Sequence, residues 1–356
     1  MSLLSKLSIV IPTFNRPEFL IRSISYWSDY DMTVHILDGS KVPLDDQLIS
    51  GFKSNINYHH MPIDLMQRLN SSIEFIGTDY SMLVADDEFF ISSALESCIE
   101  ELENDHEIVS CMGSAISFRV EDNIMVGNII YPALSKHSLM QDNSLERSIF
   151  HMSNYVPSLI YSVMRSNVWK KSIRSASVKN YEVFVKAIGE LQFEITSSYL
   201  GKSKIINELM WLRSFENEPI RVHETEATIP IQAFWYEKSN KLICNEIINT
   251  IVQSIAPKKD KVSQATQDIS LVIDSYIKSQ PKKSFKNRAA RFILPKGIVS
   301  LIKKLIEIKA KTPLLSISNI VLALNKKNVD VDIVELENIE QLLLSFYSNQ
   351  NQNHSN

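Results

Sequence analysis

The feature that most constrains this chain is an alternation within its first ninety or so residues: short apolar, β-branched runs, each ending in polar or turn-forming residues, separated by stretches with helical spacing. Ser8 to Thr13 is such a run, stopped by Pro12-Thr13, and it reads as a buried strand entering a loop. Phe19, Leu20, Ile24 and Trp27 then recur at helical intervals behind Pro17, which suits a first helical turn. Met32 to Leu37 is a second strand, closed by the turn triplet Asp38-Gly39-Ser40. A helix over Leu44 to Phe52, a strand over Ile56 to His60, a helix over Asp64 to Ile76 and a strand over Tyr80 to Ala85 follow. Strands alternating with helices in this way predict an α/β fold with a doubly wound, mostly parallel sheet. Such sheets bind ligands beyond the carboxyl ends of their strands, and Asn15, Asp38 and Asp86 all occupy that position.

The rest of the chain is less regular. A helix is expected over Ser92 to Asn104, then antiparallel strands between Glu107 and Tyr131 broken by Gly113 and Gly127. Leu159 to Met164 reads as a strand, Tyr181 to Leu200 as a helix closed by Gly201, and Leu209 to Phe215 as a late strand. A catalytic domain over residues 1–230, a helical region over 231–347 and a disordered polar tail over 348–356 are the expected divisions.

Composition removes several classes of function. With 37 basic and 41 acidic residues the formal charge is -4, so the chain as a whole is not built to bind nucleic acid. Cys98, Cys111 and Cys244 match neither a zinc spacing nor a disulfide framework, which suits a reducing cytoplasm. No apolar run reaches the length of a signal-peptide core or a membrane span. With only eight glycines and no glycine-rich phosphate loop, a dinucleotide fingerprint is excluded. Residues 278–311 are strongly basic, and between 285 and 311 apolar residues alternate with lysines and arginines. That segment fits either a helix lying on an anionic membrane, at the inner face of the plasma membrane, or one packed on the catalytic domain or on a second copy of the chain.

Asp86-Asp87-Glu88 carries the strongest chemical signal. Adjacent carboxylates at a strand end repel one another unless a cation or solvent neutralises them. Hard oxygen donors in an open turn suit Mg²⁺ or Mn²⁺ sharing its coordination with substrate phosphates. The same turn is equally an acidic lead into the next helix, with Ser93 and Glu96 as a capping box. Asp38 offers an acceptor for a nucleobase imide or a ribose hydroxyl, or is an ordinary turn residue. Thr13 to Arg16 offers backbone groups and a guanidinium fork to a nucleotide, or simply leads into the first helix. His59 and His60 have no partner at metal spacing and read as structural.

Together these segments resemble a known family. SIVIPTFNRPEFL at Ser8 to Leu20, the hydrophobic-Asp-Gly-Ser element at Leu37 to Ser40 and YSMLVADDEFF at Tyr80 to Phe90 are similar, in order and spacing, to the family 2 glycosyltransferases and their relatives. The resemblance covers about the first 130 residues. It implies a GT-A, Rossmann-like fold with a helical C-terminal extension. It further implies a donor site at Pro12, Thr13, Asn15, Arg16, Asp38, Ser40, Arg68 and Asp86, with Asn70 beside Arg68. The metal, Mn²⁺ or Mg²⁺, falls to Asp86, Asp87 and Glu88, although Glu88 stands where these relatives usually carry Asp. An inverting transfer needs a carboxylate to deprotonate the acceptor hydroxyl. Glu190, one helical turn before Glu194, resembles the base of these relatives, or is a solvated helix carboxylate. Arg213 and His223 lie where such folds return a late residue to the diphosphate or metal, or have no role in the chemistry.

The implied function is metal-dependent, inverting transfer of a sugar from a nucleotide-diphosphate donor, a UDP-sugar first among them. The acceptor would be a glycan, a lipid-linked glycan or another hydroxyl, in bacterial surface polysaccharide synthesis. A sugar-phosphate or nucleotidyl transferase on the same fold, or a non-catalytic sugar-nucleotide-binding protein, is the alternative.

Overall fold

The computed structural model describes residues 2–176, 188–217, 231–256, 258–280 and 313–353. In chain order the first elements are β1 (Leu7–Thr13), α1 (Pro17–Trp27), β2 (Thr33–Asp38), α2 (Asp46–Ser50), β3 (Ile56–His60), α3 (Leu65–Ser72) and β4 (Tyr80–Leu83). Their strands form the parallel array β4-β1-β2-β3, with Thr13 level with Asp38 and Asp38 level with His60. Leu7, Ile9, Val10 and Ile11 are fully buried, as a strand covered on both faces requires. Side-chain caps from Asp45 and Asp64 start α2 and α3 later than periodicity alone suggests, and both helices stop early.

Next come β5 (Phe89–Phe90), α4 (Ser92–Asn104), β6 (Ile108–Glu121), β7 (Ile124–Ile130), α5 (Ser144–Ser153), β8 (Val163–Arg165), α6 (Ser166–Ser175), α7 (Ile188–Leu200) and β9 (Lys202–Ser214). β6 pairs antiparallel with β7 and β8 and parallel with β9, and β8 joins this half to β4. Gly113 and Gly127 do not break strands as expected. Each sits within one, because a Cβ at Gly127 would strike the Ser117 carbonyl and one at Gly113 would meet the Glu208 carbonyl at 2.5 Å. The strand expected over Leu159 to Met164 is reduced to β8, since the amides of Leu159 and Ile160 are bound by the Glu194 carboxylate. The late strand begins at Lys202, seven residues before the expected Leu209. Residues 181–187 of the expected long helix, the expected boundary near Pro230, His223 and all of 281–311 lie outside the described residues.

The chain continues with α8 (Ile231–Tyr236), α9 (Lys241–Ile255), α10 (Val262–Ser279), β10 (Leu315–Ser316), α11 (Ile317–Asn325) and α12 (Ile333–Asn353). α9 and α10 pack with α5 and α7 through Ile195, Ile247, Ile251, Ile269, Val272 and Ile273. The segment from 313 behaves differently. β10 adds to the sheet beside β7, while Ile320, Leu324, Leu336, Ile339 and Leu343 enter the core shared with β1 and β4. Ser348 to Asn353, expected in a disordered tail, complete α12, whose earlier turns are anchored in that core. Among the described residues no helix is long and apolar enough to cross a membrane.

One carboxylate fastens α12 to the sheet. Glu335 accepts from the hydroxyls of Tyr26 at 2.6 Å and Tyr30 at 2.8 Å, and from Ser92 through its amide at 2.9 Å and its hydroxyl at 2.8 Å. It thereby satisfies the first amide of α4, which has no side-chain cap from its own sequence. The Ser93 and Glu96 pair does not close a capping box: Ser93 donates to Asp332, and Glu96 accepts from Ser2. Glu335→Ala leaves Tyr30 and Ser92 without this acceptor, while Tyr26 keeps the Phe90 carbonyl at 2.8 Å, and is expected to lower stability by about 2 kcal/mol, measured by urea denaturation.

Candidate active site

At the carboxyl edge of the sheet, the loops after β1 and β2 enclose a cavity of about 370 Å³ lined by Thr13, Asn15, Arg16, Asp38 and Ser40 together with Pro17, Leu20 and the loop from Lys41 to Leu44. Local hydrogen bonds build it. Asn15 adopts φ 54°, a left-handed turn that asparagine tolerates, and its amide donates to the Ser40 hydroxyl at 2.8 Å. The Ser40 amide donates to Asp38 Oδ1 at 2.8 Å, and the Tyr58 hydroxyl donates to Asp38 Oδ2 at 2.6 Å. Burial and the hydrogen bond to Asp38 push the Tyr58 hydroxyl up to about 12. His60 shares a hydrogen bond of 2.8 Å with the Ser40 carbonyl, while His59 stacks on Phe75 at 4.1 Å. Both histidines therefore have structural roles, one of them at the edge of the site.

Arg68 does not line the cavity. It lies beneath it, donating to the carbonyls of Thr13 at 2.7 Å and Leu37 at 2.5 Å. Its Nε would come within 2.7 Å of any Cβ at position 39, so a side chain there would have to displace the guanidinium. Pro12 is likewise part of β1 and outside the lining, and Asn70 is on the exposed side of α3.

Of the three acids of the turn after β4, two share a partner and the third turns away. Asp86 accepts from the Thr13 hydroxyl at 2.7 Å and from Arg16 Nη1 at 2.9 Å. Asp87 is paired with the other nitrogen of the same guanidinium, and its carbonyl accepts from Arg22 at 3.3 Å. Glu88 turns into the core, where Trp211 Nε1 donates to it at 2.8 Å and Arg213 stands 3.9 Å away. Among the described residues no three His, Cys, Asp or Glu side chains are gathered as a metal site. Burial pushes Asp86 up to about 6 even with Arg16 beside it, and the Asp87 carboxylate adds to the rise. Burial pushes Glu88 further, to about 8, against the Trp211 hydrogen bond.

Glu190 and Glu194 share one face of α7. Glu190 accepts from the Tyr155 hydroxyl and is raised by burial. Glu194 is wholly enclosed: it is bonded to His151 at 2.7 Å and accepts from the amides of Leu159 and Ile160, and His151 is bonded in turn to His137 at 2.8 Å. Residues 159–162 thus owe their path to a carboxylate more than thirty residues away. Sequence patterns singled out neither this network nor Tyr58, Arg22 and Trp211, whose partners are all distant in the chain.

The observations agree on one family. The profile described as glycosyl transferase family 2 matches residues 8–165, a stretch that contains the cavity, Arg68 and the acid turn. This region is a family 2 glycosyltransferase domain. The matched region accordingly has the mixed α/β, GT-A fold of a glycosyltransferase. Glu190 and Arg213 lie beyond the matched stretch. No curated protein sequence matches the chain. Among solved structures it is similar to residues 1–349 of S. aureus TarS, at 11% identity and a TM-score of 0.44, over 78% of this chain and 90% of that one. The complex of that fragment with UDP-GlcNAc gives 11% and 0.45 over the same shares, and a longer TarS chain gives 10% and 0.43 over 78% and 55%.

The buried network beneath the family 2 domain makes stability depend on pH. Burial raises Glu194 from 4.5 to about 8 and lowers His151 and His137 from 6.5 to about 3 and about 4. Between pH 4.5 and 8 the folded state keeps a proton on Glu194 that the unfolded chain has lost, so this contribution falls as pH rises. Below pH 6.5 the unfolded chain binds protons that the folded histidines refuse, so theirs falls as pH drops. The network's contribution therefore peaks near pH 6.5. In melting curves from pH 5 to 8.5, Glu194→Gln should remove part of the decline that the parent protein shows on the alkaline side.

Proposed function

We propose that the protein transfers a sugar, with inversion, from a nucleotide-diphosphate donor to a hydroxyl of a glycan or lipid-linked glycan, in the building of a bacterial surface polysaccharide. The observation that carries this reading is the convergence of Asp86 and Asp87 on a single cationic group, Arg16, at the wall of the cavity that holds Asp38 and Ser40. Two carboxylates that already share one cation are a fitting donor set for Mn²⁺ or Mg²⁺, which commonly take one or two carboxylates and complete their shell with water and substrate phosphates. Glu88, engaged by Trp211, supports the turn from within. A divalent cation bound there would supply charge neutralisation for the departing nucleoside diphosphate.

The chain's own groups perform the remaining work. Asp38, oriented by Ser40 and Tyr58, accepts from the base or ribose of a UDP-sugar. Arg68 holds the ends of β1 and β2 so that the two loops keep their spacing. Arg16, swung from the acids toward the diphosphate, exchanges one anionic partner for another. Glu190 takes the proton of the acceptor hydroxyl, and its raised pKa brings it closer to neutrality, where a general base is most effective. The membrane contact expected of the basic segment stays a proposal, tested by binding to anionic vesicles.

The deciding experiment is release of nucleoside diphosphate from UDP-sugars with and without Mn²⁺. Asp86→Ala should reduce release at least about a hundredfold, as expected when a charge-stabilising group is removed from a transition state. Glu190→Gln should lower transfer to acceptor while leaving UDP affinity unchanged. Release that is insensitive to both Mn²⁺ and Asp86→Ala would sink the reading.

A further inference from the structure

Between the acid turn and α7, at the rim of the main core, stands a group of aromatic residues outside the donor cavity. Trp211 is fully buried, and two half-buried tyrosines lie nearly parallel to its indole: Tyr161 at 4.5 Å and 28°, Tyr131 at 5.7 Å and 12°. Arg213 sets its guanidinium 5.6 Å from both the Tyr131 and the Trp211 ring centres. Phe90 backs the indole from the core side at 6.1 Å.

Three features separate this group from ordinary packing. Tyr131 has φ 48°, and the other non-glycine residues with positive φ among the described residues are all Asn or Asp. A bulky side chain in that conformation is strained, and such strain persists where the surroundings hold a residue for a purpose other than stability. Second, among the described residues the Tyr131 and Tyr161 hydroxyls, like those of Tyr80, Tyr236 and Tyr276, have no hydrogen-bond partner, which leaves both able to bond a ligand. Third, Tyr161 is positioned from below, because the turn that carries it is fixed by Glu194 and, through Glu194, by His151. Burial raises the Tyr161 hydroxyl, and the charges of Glu88, Glu190, Glu194 and Asp87 add to the rise.

We propose that Tyr131 and Tyr161, backed by Trp211 and flanked by Arg213, form the platform on which the acceptor lies, and that the acceptor presents a pyranose ring there. Flat aromatic faces cover the C–H face of a sugar, while free hydroxyls and a guanidinium edge exchange hydrogen bonds with its polar rim. The group adjoins the acid turn through Trp211 and Glu88 and α7 through Ile160 and Glu194. This inference rests on the reading of Asp86, Asp87 and Glu190 given above.

Saturation-transfer NMR on the full chain, with methyl α- and β-pyranosides of glucose, galactose, mannose and N-acetylglucosamine as probes and glycerol as control, tests it. UDP affinity in the presence of Mn²⁺ is measured on the same samples. The parent protein should contact ring protons of at least one pyranoside and leave glycerol untouched. Tyr161→Leu and Tyr131→Leu keep apolar bulk and should weaken that pyranoside at least about fivefold, the scale of one aromatic contact, with UDP affinity unchanged. Tyr161→Phe, which keeps the ring, should retain most of the binding. Pyranoside contacts undiminished in both leucine variants would overturn the proposal, as would a parent protein that binds UDP and no pyranoside. Pyranoside binding that depends on Tyr161 in a protein that binds no UDP would leave the platform standing and remove the donor reading instead.

Discussion

The buried guanidinium of Arg68 donates to the carbonyls of Thr13 and Leu37, where β1 and β2 end side by side. The Thr13 carbonyl also accepts from the Gly39 amide at 3.0 Å, so the guanidinium adds a donor there and ties α3 to both strand ends. Much of the cavity follows from this contact. A side chain in place of Gly39 would have to displace the guanidinium, which occupies that space. The chain can then turn tightly enough for the Ser40 amide to reach Asp38 and the Ser40 hydroxyl to reach the amide of Asn15. A residue on α3 thus sets the distance between the two loops that would hold a nucleotide.

In the acid turn, like charges are accommodated by one shared cation and one inward hydrogen bond. Asp86 and Asp87 share Arg16, and Glu88 is drawn inward by the indole of Trp211. Arg22 joins the turn to more distant parts. It donates to the Asp87 carbonyl and pairs with Glu216 at 2.8 Å, and Glu216 also accepts from the Tyr347 hydroxyl at 2.6 Å. Phe19, Phe89 and Phe346 surround the same guanidinium, with Phe346 contributed by α12. The last helix is in this way part of the wall behind the acid turn, and Glu335 secures its beginning.

Much of the frame was legible in the chain itself. The periods of Ser8 to Thr13, Pro17 to Trp27, Ile56 to His60 and Ser92 to Asn104 correspond to β1, α1, β3 and α4 almost residue for residue. Apolar residues at fixed spacing must face the core in whatever fold the chain adopts, which is why these elements can be read locally. The starts of α2 and α3 were shifted by local caps, and other boundaries failed where a distant group intervened. Gly113 and Gly127 looked like breaks and are points of backbone contact between strands. Leu159 to Ser162 looked like a strand and is held as a turn by a carboxylate on α7.

The sequence by itself determined the parallel array, the edge at which polar residues gather, and the identity of Thr13, Asn15, Arg16, Asp38, Ser40, Asp86 and Asp87 as neighbours along that edge. All of this follows from strand period and from where strands stop. Only the tertiary structure decided which way each charged group turns: that Arg16 bridges two acids, that Glu88 faces Trp211, that Arg68 lies beneath the cavity and that Glu335 caps α4. The reason is that a buried polar group takes whichever partner the packed core brings within hydrogen-bond reach. In this chain those partners are separated in sequence by 55 residues for Arg68 and Thr13, by 123 for Trp211 and Glu88 and by 243 for Glu335 and Ser92.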